Sequence, residues 1–432
     1  MDRYLIDLVR RHGRGTPNSI VSVCSAHPFV LEAALENAKE SSDYALLEST
    51  CNQVNQYGGY SGMRPSEFYR LAHEVAARVG FSKERLILGG DHLGPYPWRH
   101  ENSSNAMDLA RTMVREYVRA GFRKLHIDAS MALGDDRSES GRRLDPGLAA
   151  ERCAELCATA EDARCDGKND APLYVIGTEV PVPGGTSEDT GPPEVTQVSD
   201  LDDMITSSRS AFQRRGLGSA WERVIAVVVQ PGVEFGGERI FGYERERTRA
   251  LCAALSRYPE LAFEGHSTDY QQANHLNQMA SDGFAILKVG PALTNAFREA
   301  VFLLSHIETE IFANDHATEM ARLPEALERA MLARPGHWRP YYHGDDHAIR
   351  FARAYSFSDR SRYYWSEETV QQALRRLFSN LRTKAIPLPL ISQYFPAQYW
   401  RLRQGVALSD PETLVRDKIK DVLRTYPGRQ WM

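Results

Sequence analysis

The sequence predicts an α/β fold, a (β/α)₈ TIM barrel that is followed by a C-terminal helical extension. Eight short apolar segments recur along the first part of the chain, and a segment of helical periodicity follows each of them. The 432 residues exceed the ~250 that a minimal barrel needs, and the alternation stops after about residue 310. We therefore expect a barrel over residues 1–312 and a helical extension, packed on the barrel, over residues 313–432.

Each predicted strand is a short, continuous apolar run, which suits a strand buried on both faces of a parallel sheet. In chain order the runs are residues 19–23, 44–48, 86–90, 124–128, 173–178, 224–229, 261–265 and 285–289. An open doubly wound sheet would require a glycine-rich fingerprint after the first strand, and the sequence there is CSAHPF. In the helical segments between the runs, Pro28 and Pro65 stand where the first turn of a helix tolerates proline.

The predicted extension contains three helix-like segments, at residues 317–333, 368–381 and 412–423. Two aromatic stretches interrupt them, YSFSDRSRYYW at 355–365 and IPLPLISQYFPAQYW at 386–400. Their prolines and aromatic side chains predict a cover that packs on the barrel rather than a loose tail.

The composition excludes several classes of partner. The 57 acidic and 52 basic residues give a formal charge of -5, so no basic excess points to a nucleic acid or to an anionic membrane surface. No apolar run approaches the ~20 residues of a membrane helix, and the charged N-terminal segment lacks the apolar core of a signal peptide. The six cysteines form no CxxC pair, so we expect a cytoplasmic protein without a disulfide framework.

Polar residues follow the predicted strands at the end where barrel enzymes place their chemistry. Asp91 and His92 follow the third strand, and His266 follows the seventh. A lone histidine is more often a surface residue or a hydrogen-bonded core residue. Imidazole and carboxylate groups on converging strand ends, however, are ligands for Zn²⁺ or Mn²⁺. Such an ion can polarise a carbonyl while a nearby carboxylate moves a proton.

Four other residues at strand ends permit two interpretations. His126 and Asp128 alternate along the fourth strand and should face the same side, either in a structural polar layer or in catalysis. Glu179 and Glu234 could serve the site, cap a helix or pair with an arginine.

The loops at residues 265–268 and 289–290 follow strands seven and eight, where barrels often bind phosphate through backbone N–H groups. Arg360 and Arg362 of the extension could reach such an anion, or they could simply join the extension to the barrel. The chain has no Walker A motif, which an ATP-dependent kinase would usually contain.

Long motifs resemble the Z-type subunit family of D-tagatose-1,6-bisphosphate aldolase. They are VCSAHPFVLEAAL, ESTCNQVNQYGGYSGM, LGGDHLGP, HIDASM, VIGTEVPVPGG, VVVQPGVEF, GHSTDYQ, FAILKVGPALTNAFREA and the two aromatic stretches of the extension. The resemblance spans nearly the whole chain. It implies a partner of a catalytic class II aldolase subunit, and relatives of this type are also connected with 4-epimerisation of ketoses or ketose phosphates. The family has also carried the label tagatose-6-phosphate kinase.

The predicted barrel is in turn similar to the zinc-dependent class II ketose-bisphosphate aldolases. This resemblance implies that Asp91 is a proton donor and that His92 and His266 are zinc ligands, and it includes the stretch holding Glu179. The aldolases have a further zinc-binding histidine after strand six, where this chain offers Glu234 as the substitute. Lys288 stands where the aldolases have a substrate-binding asparagine.

We therefore expect a metal-dependent, class II aldolase-like subunit that acts on tagatose or fructose phosphates by retro-aldol/aldol or 4-epimerase chemistry. The alternative is a non-catalytic accessory subunit that stabilises a catalytic tagatose-bisphosphate aldolase partner through the extension, and we expect an oligomer. The expected catalytic residues are Asp91, Glu179 and Lys288, and the expected ligands of a zinc or manganese ion are His92, Glu234 and His266. The expected residues for binding a ketose or ketose phosphate are Ser25, Asn52, Gln53, Asp128, Gln230, Ser267, Asp269 and Gly290.

Overall fold

The computed structural model describes residues 2–12, 18–136, 144–164, 171–177, 191–406 and 410–428. Its strands in chain order are β1 (Ile20–Cys24), β2 (Ala45–Thr50), β3 (Leu86–Leu93), β4 (Lys124–Asp128), β5 (Leu173–Gly177), β6 (Val224–Val229), β7 (Glu234–Phe235), β8 (Ile240–Phe241), β9 (Ala262–Gly265) and β10 (Phe284–Val289). The pair β7 and β8 forms a small antiparallel hairpin, and the other eight strands close a barrel in the order β1-β10-β9-β6-β5-β4-β3-β2. All neighbours in the barrel are parallel. The predicted (β/α)₈ barrel is therefore confirmed.

The inside of the barrel is apolar at the amino ends of its strands. Helix α1 (Asp2–His12) closes this end, and its Leu5, Leu8 and Val9 pack against strand residues such as Ile20 and Ile225. Because side chains alternate between the two faces of a strand, the other face contacts the surrounding helices. The carboxyl ends of the strands are left for polar residues.

The helices around the barrel begin and end at positions that the sequence marks. They are α2 (Pro28–Glu40), α3 (Pro65–Val79), α4 (Ser103–Ala120), α5 (Pro146–Arg164), α6 (Val198–Arg214), the single turn α7 (Gly218–Trp221), α8 (Arg245–Ala254), α9 (Ala273–Ser281) and α10 (Pro291–Ile311). The predicted prolines at the starts of α2 and α3 are confirmed. The Asn102 side chain caps α4 by accepting the N–H of Asn105.

The extension is helical, as predicted, and it returns to the barrel. Its helices are α11 (Leu323–Ala333), α12 (Asp346–Tyr355), α13 (Glu368–Thr383), α14 (Leu388–Tyr394), α15 (Pro396–Arg403) and α16 (Pro411–Leu423), with a 3₁₀ turn at Arg360–Tyr363. Helix α16 packs against α2 and α10, and Lys420 forms an ion pair with Glu40 at 2.7 Å. The helix-facing side of the barrel and the extension share one continuous hydrophobic core. Among the described residues, no helix has the length and apolar character needed to cross a membrane.

Candidate functional site

Three histidine rings meet at the carboxyl end of the barrel. His126 lies on β4, His92 lies near the end of β3, and His266 directly follows β9. The ring centres are 5.0 Å apart for His92 and His126, 4.9 Å for His92 and His266, and 5.0 Å for His126 and His266. All three side chains are buried. Imidazoles in such a triangle can bind a single ion.

The end of β3 turns inward and brings His92 into this triangle. The register of β3 against β4 shifts between Gly90 and Leu93, and His92 has a φ of 49°. A Cβ atom on Gly94 would lie 1.6 Å from the carbonyl oxygen of Asp128, so only glycine lets the two strands pass this closely. Positive φ angles at non-glycine residues persist where the surrounding structure holds them, which is common at active sites.

Each of the three imidazoles has one ring nitrogen within hydrogen-bond distance of a buried carboxylate. The pairs are His92 Nδ1 with Asp128 Oδ2 at 2.9 Å, His126 Nδ1 with Asp91 Oδ1 at 2.8 Å, and His266 Nε2 with Glu264 Oε1 at 3.0 Å. Metal-binding histidines usually carry such a carboxylate, because it orients the ring and leaves the second nitrogen free for the ion.

One buried ring nitrogen of this cluster lacks a polar partner in the described part of the chain. His126 Nε2 is inaccessible to solvent and has no hydrogen-bond partner among the described residues. A buried polar atom without a partner is costly unless a ligand satisfies it. The ligand atoms of Asp91, His92, His126 and His266 all lie within 4.8 Å of one another. This donor set therefore fits a divalent ion such as Zn²⁺.

Two lysines bridge the carboxylates below the histidines. Lys124 Nζ lies 2.6 Å from Glu48 Oε1 and 2.5 Å from Glu264 Oε2. Lys288 Nζ lies 2.9 Å from Glu264 Oε1 and 3.2 Å from Glu48 Oε2, and it also contacts Asp91. The four carboxylates at the site, on Glu48, Asp91, Asp128 and Glu264, outnumber the two ammonium groups. With neutral imidazoles the site therefore carries a charge of -2, which a divalent cation would neutralise.

Two of the three imidazoles, His126 and His266, favour the neutral form that a metal ion requires. Burial and the Lys288 ammonium lower the pKa of His266 to about 3, and burial lowers the pKa of His126. Burial also opposes the charged form of His92, but the Asp91 carboxylate and the hydrogen bond to Asp128 outweigh it and raise its pKa. Burial would raise the pKa of Asp91, yet His92 and Lys288 hold that pKa well below its usual range. Asp91 is therefore a carboxylate at neutral pH.

A cleft opens above the histidines and contains many of the residues that the sequence predicts for the substrate. It is lined by Asn52, Gln53, Asp91, His92, His266, Ser267, Asp269, Lys288 and Gly290 from the barrel, together with Tyr60 and with Arg362 and Tyr363 of the extension. Ser25 lines a neighbouring cleft, which also contains Arg362. The Gln230 Oε1 accepts the N–H of Gly232 in the loop after β6, and Gln230 is not among the residues that line either cleft.

Asp269 occupies the amino end of helix α10. Its Oδ1 accepts the N–H of Gly290 at 3.0 Å and the N–H of Ala292 at 2.7 Å. Burial raises the pKa of Asp269 to about 6, although these two hydrogen bonds oppose the shift. Two backbone donors at this end of α10, one of them in a loop that the sequence predicts for a phosphate, are therefore already used by a carboxylate of the chain itself.

The two remaining predicted carboxylates are not part of the histidine cluster as described. Glu234 lies on β7 and is buried, its Oε1 accepts the N–H of Phe235, and burial raises its pKa to about 7. The group of close ligand atoms does not include it. Glu179 lies outside the described residues. The metal role of Glu234 and the catalytic role of Glu179 stay predictions.

Sequence reasoning left the role of His126 open and did not single out Lys124 or Glu264. The available signal was the two-residue period of the strands: Lys124 and His126 share a face of β4, and Glu264 shares its side of the barrel with His266.

Known proteins resemble this chain over nearly all of its length. A family model described as D-tagatose-1,6-bisphosphate aldolase subunit GatZ/KbaZ-like matches residues 5–429. The D-tagatose-1,6-bisphosphate aldolase subunit GatZ of Klebsiella pneumoniae is 44% identical over 420 residues, which cover 97% of each chain. A crystal structure of a probable tagatose 6 phosphate kinase from Sinorhizobium meliloti has 41% identity and a TM-score of 0.86, and the match covers 95% of this chain and 99% of that chain.

Proposed function

Because this chain belongs to the D-tagatose-1,6-bisphosphate aldolase subunit GatZ/KbaZ-like family, we propose that it acts on ketose phosphates as a metal-dependent, class II aldolase-like subunit. The observation that carries the proposal is the triangle of three buried imidazoles, each backed by a carboxylate. The charge of the surrounding carboxylates and lysines supports it as well.

His92, His126 and His266 would hold the ion, with Asp91 within reach as a further ligand or as a base. Zinc is the proposed metal and manganese the alternative. When bound, the ion would polarise a carbonyl or hydroxyl oxygen of the sugar. In class II aldolases, the resemblance leads one to expect the third imidazole after strand six. In this chain His126 on β4 would supply it instead.

Asp91 is the proposed group that moves the proton. Breaking the C3–C4 bond of a ketose requires removal of the proton from the C4 hydroxyl, while the electron pair of the bond stays with C3. The ionised Asp91 would accept that proton and return it when the bond forms again. The Lys288 ammonium, in contact with Asp91, keeps the carboxylate ionised and in position. Aldol cleavage releases the aldehyde fragment, whereas 4-epimerisation rotates it and rejoins it on its other face.

Metal analysis of the purified protein tests this proposal. We expect one Zn²⁺ or Mn²⁺ per chain, with the metal lost in H126A and H266A and retained in H316A, which removes an exposed histidine of the extension. Incubation with tagatose and fructose phosphates would then distinguish cleavage from epimerisation by the products. A protein that binds no metal and converts no sugar, even with added Zn²⁺ or Mn²⁺, would contradict the enzymatic proposal.

A second candidate is a non-catalytic subunit that stabilises a catalytic aldolase partner. It is supported by the matching family and the Klebsiella relative, both of which are named as aldolase subunits. Co-purification with an aldolase chain, together with no turnover by the isolated protein, would favour this candidate. Turnover by the isolated, metal-loaded chain would favour the first.

A further inference from the structure

We propose that the seam between barrel and extension contains a phosphate-binding subsite centred on Arg360. The inference rests on the proposed function, because it assigns the phosphate end of a ketose phosphate to the extension and the sugar end to the histidine cluster.

Arg360 is a buried cation that has no acidic partner in the part of the chain that the structure describes. Arg360 is 3% exposed, and its guanidinium carbon lies 3.3 Å from the centre of the Tyr341 ring. Its Nε has no hydrogen-bond partner among the described residues. The other buried arginines of the described chain do face a carboxylate; they pair as Arg152 with Asp136, Arg298 with Asp359 and Arg353 with Glu328. A buried, unpaired charge is costly, so this exception points to an anionic ligand.

The cleft in front of Arg360 has the charge that a phosphate monoester requires. Its lining contains three arginines, Arg99, Arg334 and Arg360, and a single carboxylate, Glu367, which is paired with Arg334. With His337 neutral, the lining carries a charge of +2. A phosphate monoester carries about -1.5 to -2 at neutral pH, and guanidinium groups bind such oxygens with two parallel hydrogen bonds.

This cleft adjoins the one above the histidines. Asn52, Tyr60 and Tyr363 line both of them. A ketose phosphate could therefore place its phosphate beside Arg360 and extend its carbon chain past these three side chains toward the proposed metal ligands.

At the usual phosphate position of a barrel, two backbone donors are already used in this chain. Barrels often bind phosphate at the amino end of a helix after strands seven and eight, but here the Asp269 carboxylate accepts the N–H groups of Gly290 and Ala292. An ionised phosphate placed there would displace Asp269 or meet it as a like charge. The Arg360 cleft offers the opposite charge without that conflict.

Titration of inorganic phosphate into the full-length, metal-loaded protein by calorimetry tests the subsite. We expect R360Q to weaken phosphate binding about tenfold or more, since it removes a charge-assisted, bidentate donor, and R99Q to weaken it by a smaller factor. R350Q is the matched control, because it removes an exposed arginine from the same extension; it should stay within about twofold of the wild type. Phosphate bound by the metal alone would be insensitive to R360Q.

The proposal is overturned if the wild type binds no phosphate, if R360Q binds it as tightly as the wild type, or if R350Q loses as much as R360Q. If circular dichroism shows that R360Q does not fold, R99Q decides: unchanged phosphate affinity in R99Q contradicts the subsite.

Kinetics provide a second readout. R360Q should raise KM for D-tagatose 6-phosphate about tenfold or more while kcat changes by less than about threefold, and its activity on free D-tagatose should not change. Equal losses on both sugars would contradict the subsite. Metal binding by H126A tests the proposed function, whereas the effect of R360Q on phosphate binding tests the subsite. A metal-loaded, active protein that binds no phosphate removes only the subsite.

Discussion

At the scale of single residues, Lys288 joins three buried carboxylates at the site. It contacts Glu48, Asp91 and Glu264 and is 4% exposed. Burial would lower its pKa, but the three carboxylates outweigh burial and raise that pKa well above its ordinary value. The ammonium therefore stays charged, and its removal would leave carboxylates buried without full compensation.

We expect K288M to lower the free energy of unfolding by about 3–5 kcal/mol, because breaking a buried ion pair leaves an uncompensated charge. Urea denaturation with a chelator present measures this without a contribution from metal. In the double variant K288M/E48Q the loss should be smaller than the sum of the two single losses, since one of the stranded carboxylates has been removed. A K288M protein within about 1 kcal/mol of the wild type would show that Lys288 does not hold these carboxylates together.

The sequence predicts part of the site because a short apolar run marks each strand and therefore the residues that follow its end. Asp91, His92 and His266 were expected at the carboxyl ends of their strands, and the cleft contains all three. The contact of Lys124 with Glu264 was not predictable, because β4 and β9 are not neighbours in the barrel and face each other only across its closed interior. Pairing across a barrel is a long-range consequence of its closure.

At the scale of elements, helix α10 depends on a carboxylate that comes from another loop. Asp269 accepts two backbone N–H groups at the start of α10. We expect D269A to cost about 1–2 kcal/mol of stability, because both donors lose their acceptor. D269N should cost less, since the amide oxygen can still accept these hydrogen bonds and only the interaction of the charge with the helix dipole is lost.

Urea unfolding of the two Asp269 variants beside the wild type measures this difference. If D269N were as destabilised as D269A, the charge rather than the hydrogen bonds would stabilise the start of the helix. If neither variant changed stability, the capping role would be wrong.

Element bounds were predictable where hydrophobic pattern alone decides them. The run predicted at residues 124–128 coincides with β4. The third strand, in contrast, continues past the predicted residue 90 to Leu93. The continuation depends on a register shift against β4 and on the close approach of Gly94 to Asp128, and neither is encoded in the local period of the residues.

At the scale of the whole molecule, His27 lies where barrel and extension meet. Its ring centre is 4.2 Å from that of Phe297 on α10 and 6.4 Å from that of Trp365 in the extension. Burial lowers the pKa of His27 to about 3, and its Nδ1 has no hydrogen-bond partner among the described residues. In the unfolded chain the His27 imidazole is protonated below about pH 6.5. In the folded chain it stays neutral until the pH approaches 3.

Between pH 6.5 and pH 3 the unfolded chain binds a proton at His27 that the folded chain does not bind. The contribution of this group to stability is therefore fully present above pH 6.5 and is lost as the pH falls toward 3. We expect the wild type to lose up to about 1.4 kcal/mol per pH unit from this group between pH 6 and pH 4. H27F, which keeps an aromatic ring and removes the titration, should lack that part of the slope. Urea unfolding at several pH values compares the two slopes, and identical slopes would contradict a neutral His27 in the folded protein.

The extension and the barrel should unfold as one unit, although the sequence pattern places a boundary at residue 312. Leu377 of α13 and Ile419 of α16 belong to the same continuous core as Leu35 and Leu304 of the barrel helices. The Tyr426 hydroxyl, beyond α16, donates to the carbonyl oxygen of Thr268 at 2.9 Å, two residues after His266.

Because removal of the extension would expose this apolar surface to water, we expect a chain that ends at residue 312 to aggregate or to lose cooperative unfolding. In the full-length protein, the urea transitions followed by far-UV circular dichroism and by tryptophan fluorescence should coincide. Two separate transitions, or a shortened chain that unfolds cooperatively on its own, would show that the extension is an independent domain. Coincident transitions would show that barrel and extension unfold cooperatively, as expected if the hydrogen bond from Tyr426 to Thr268 ties the extension to the loop after β9.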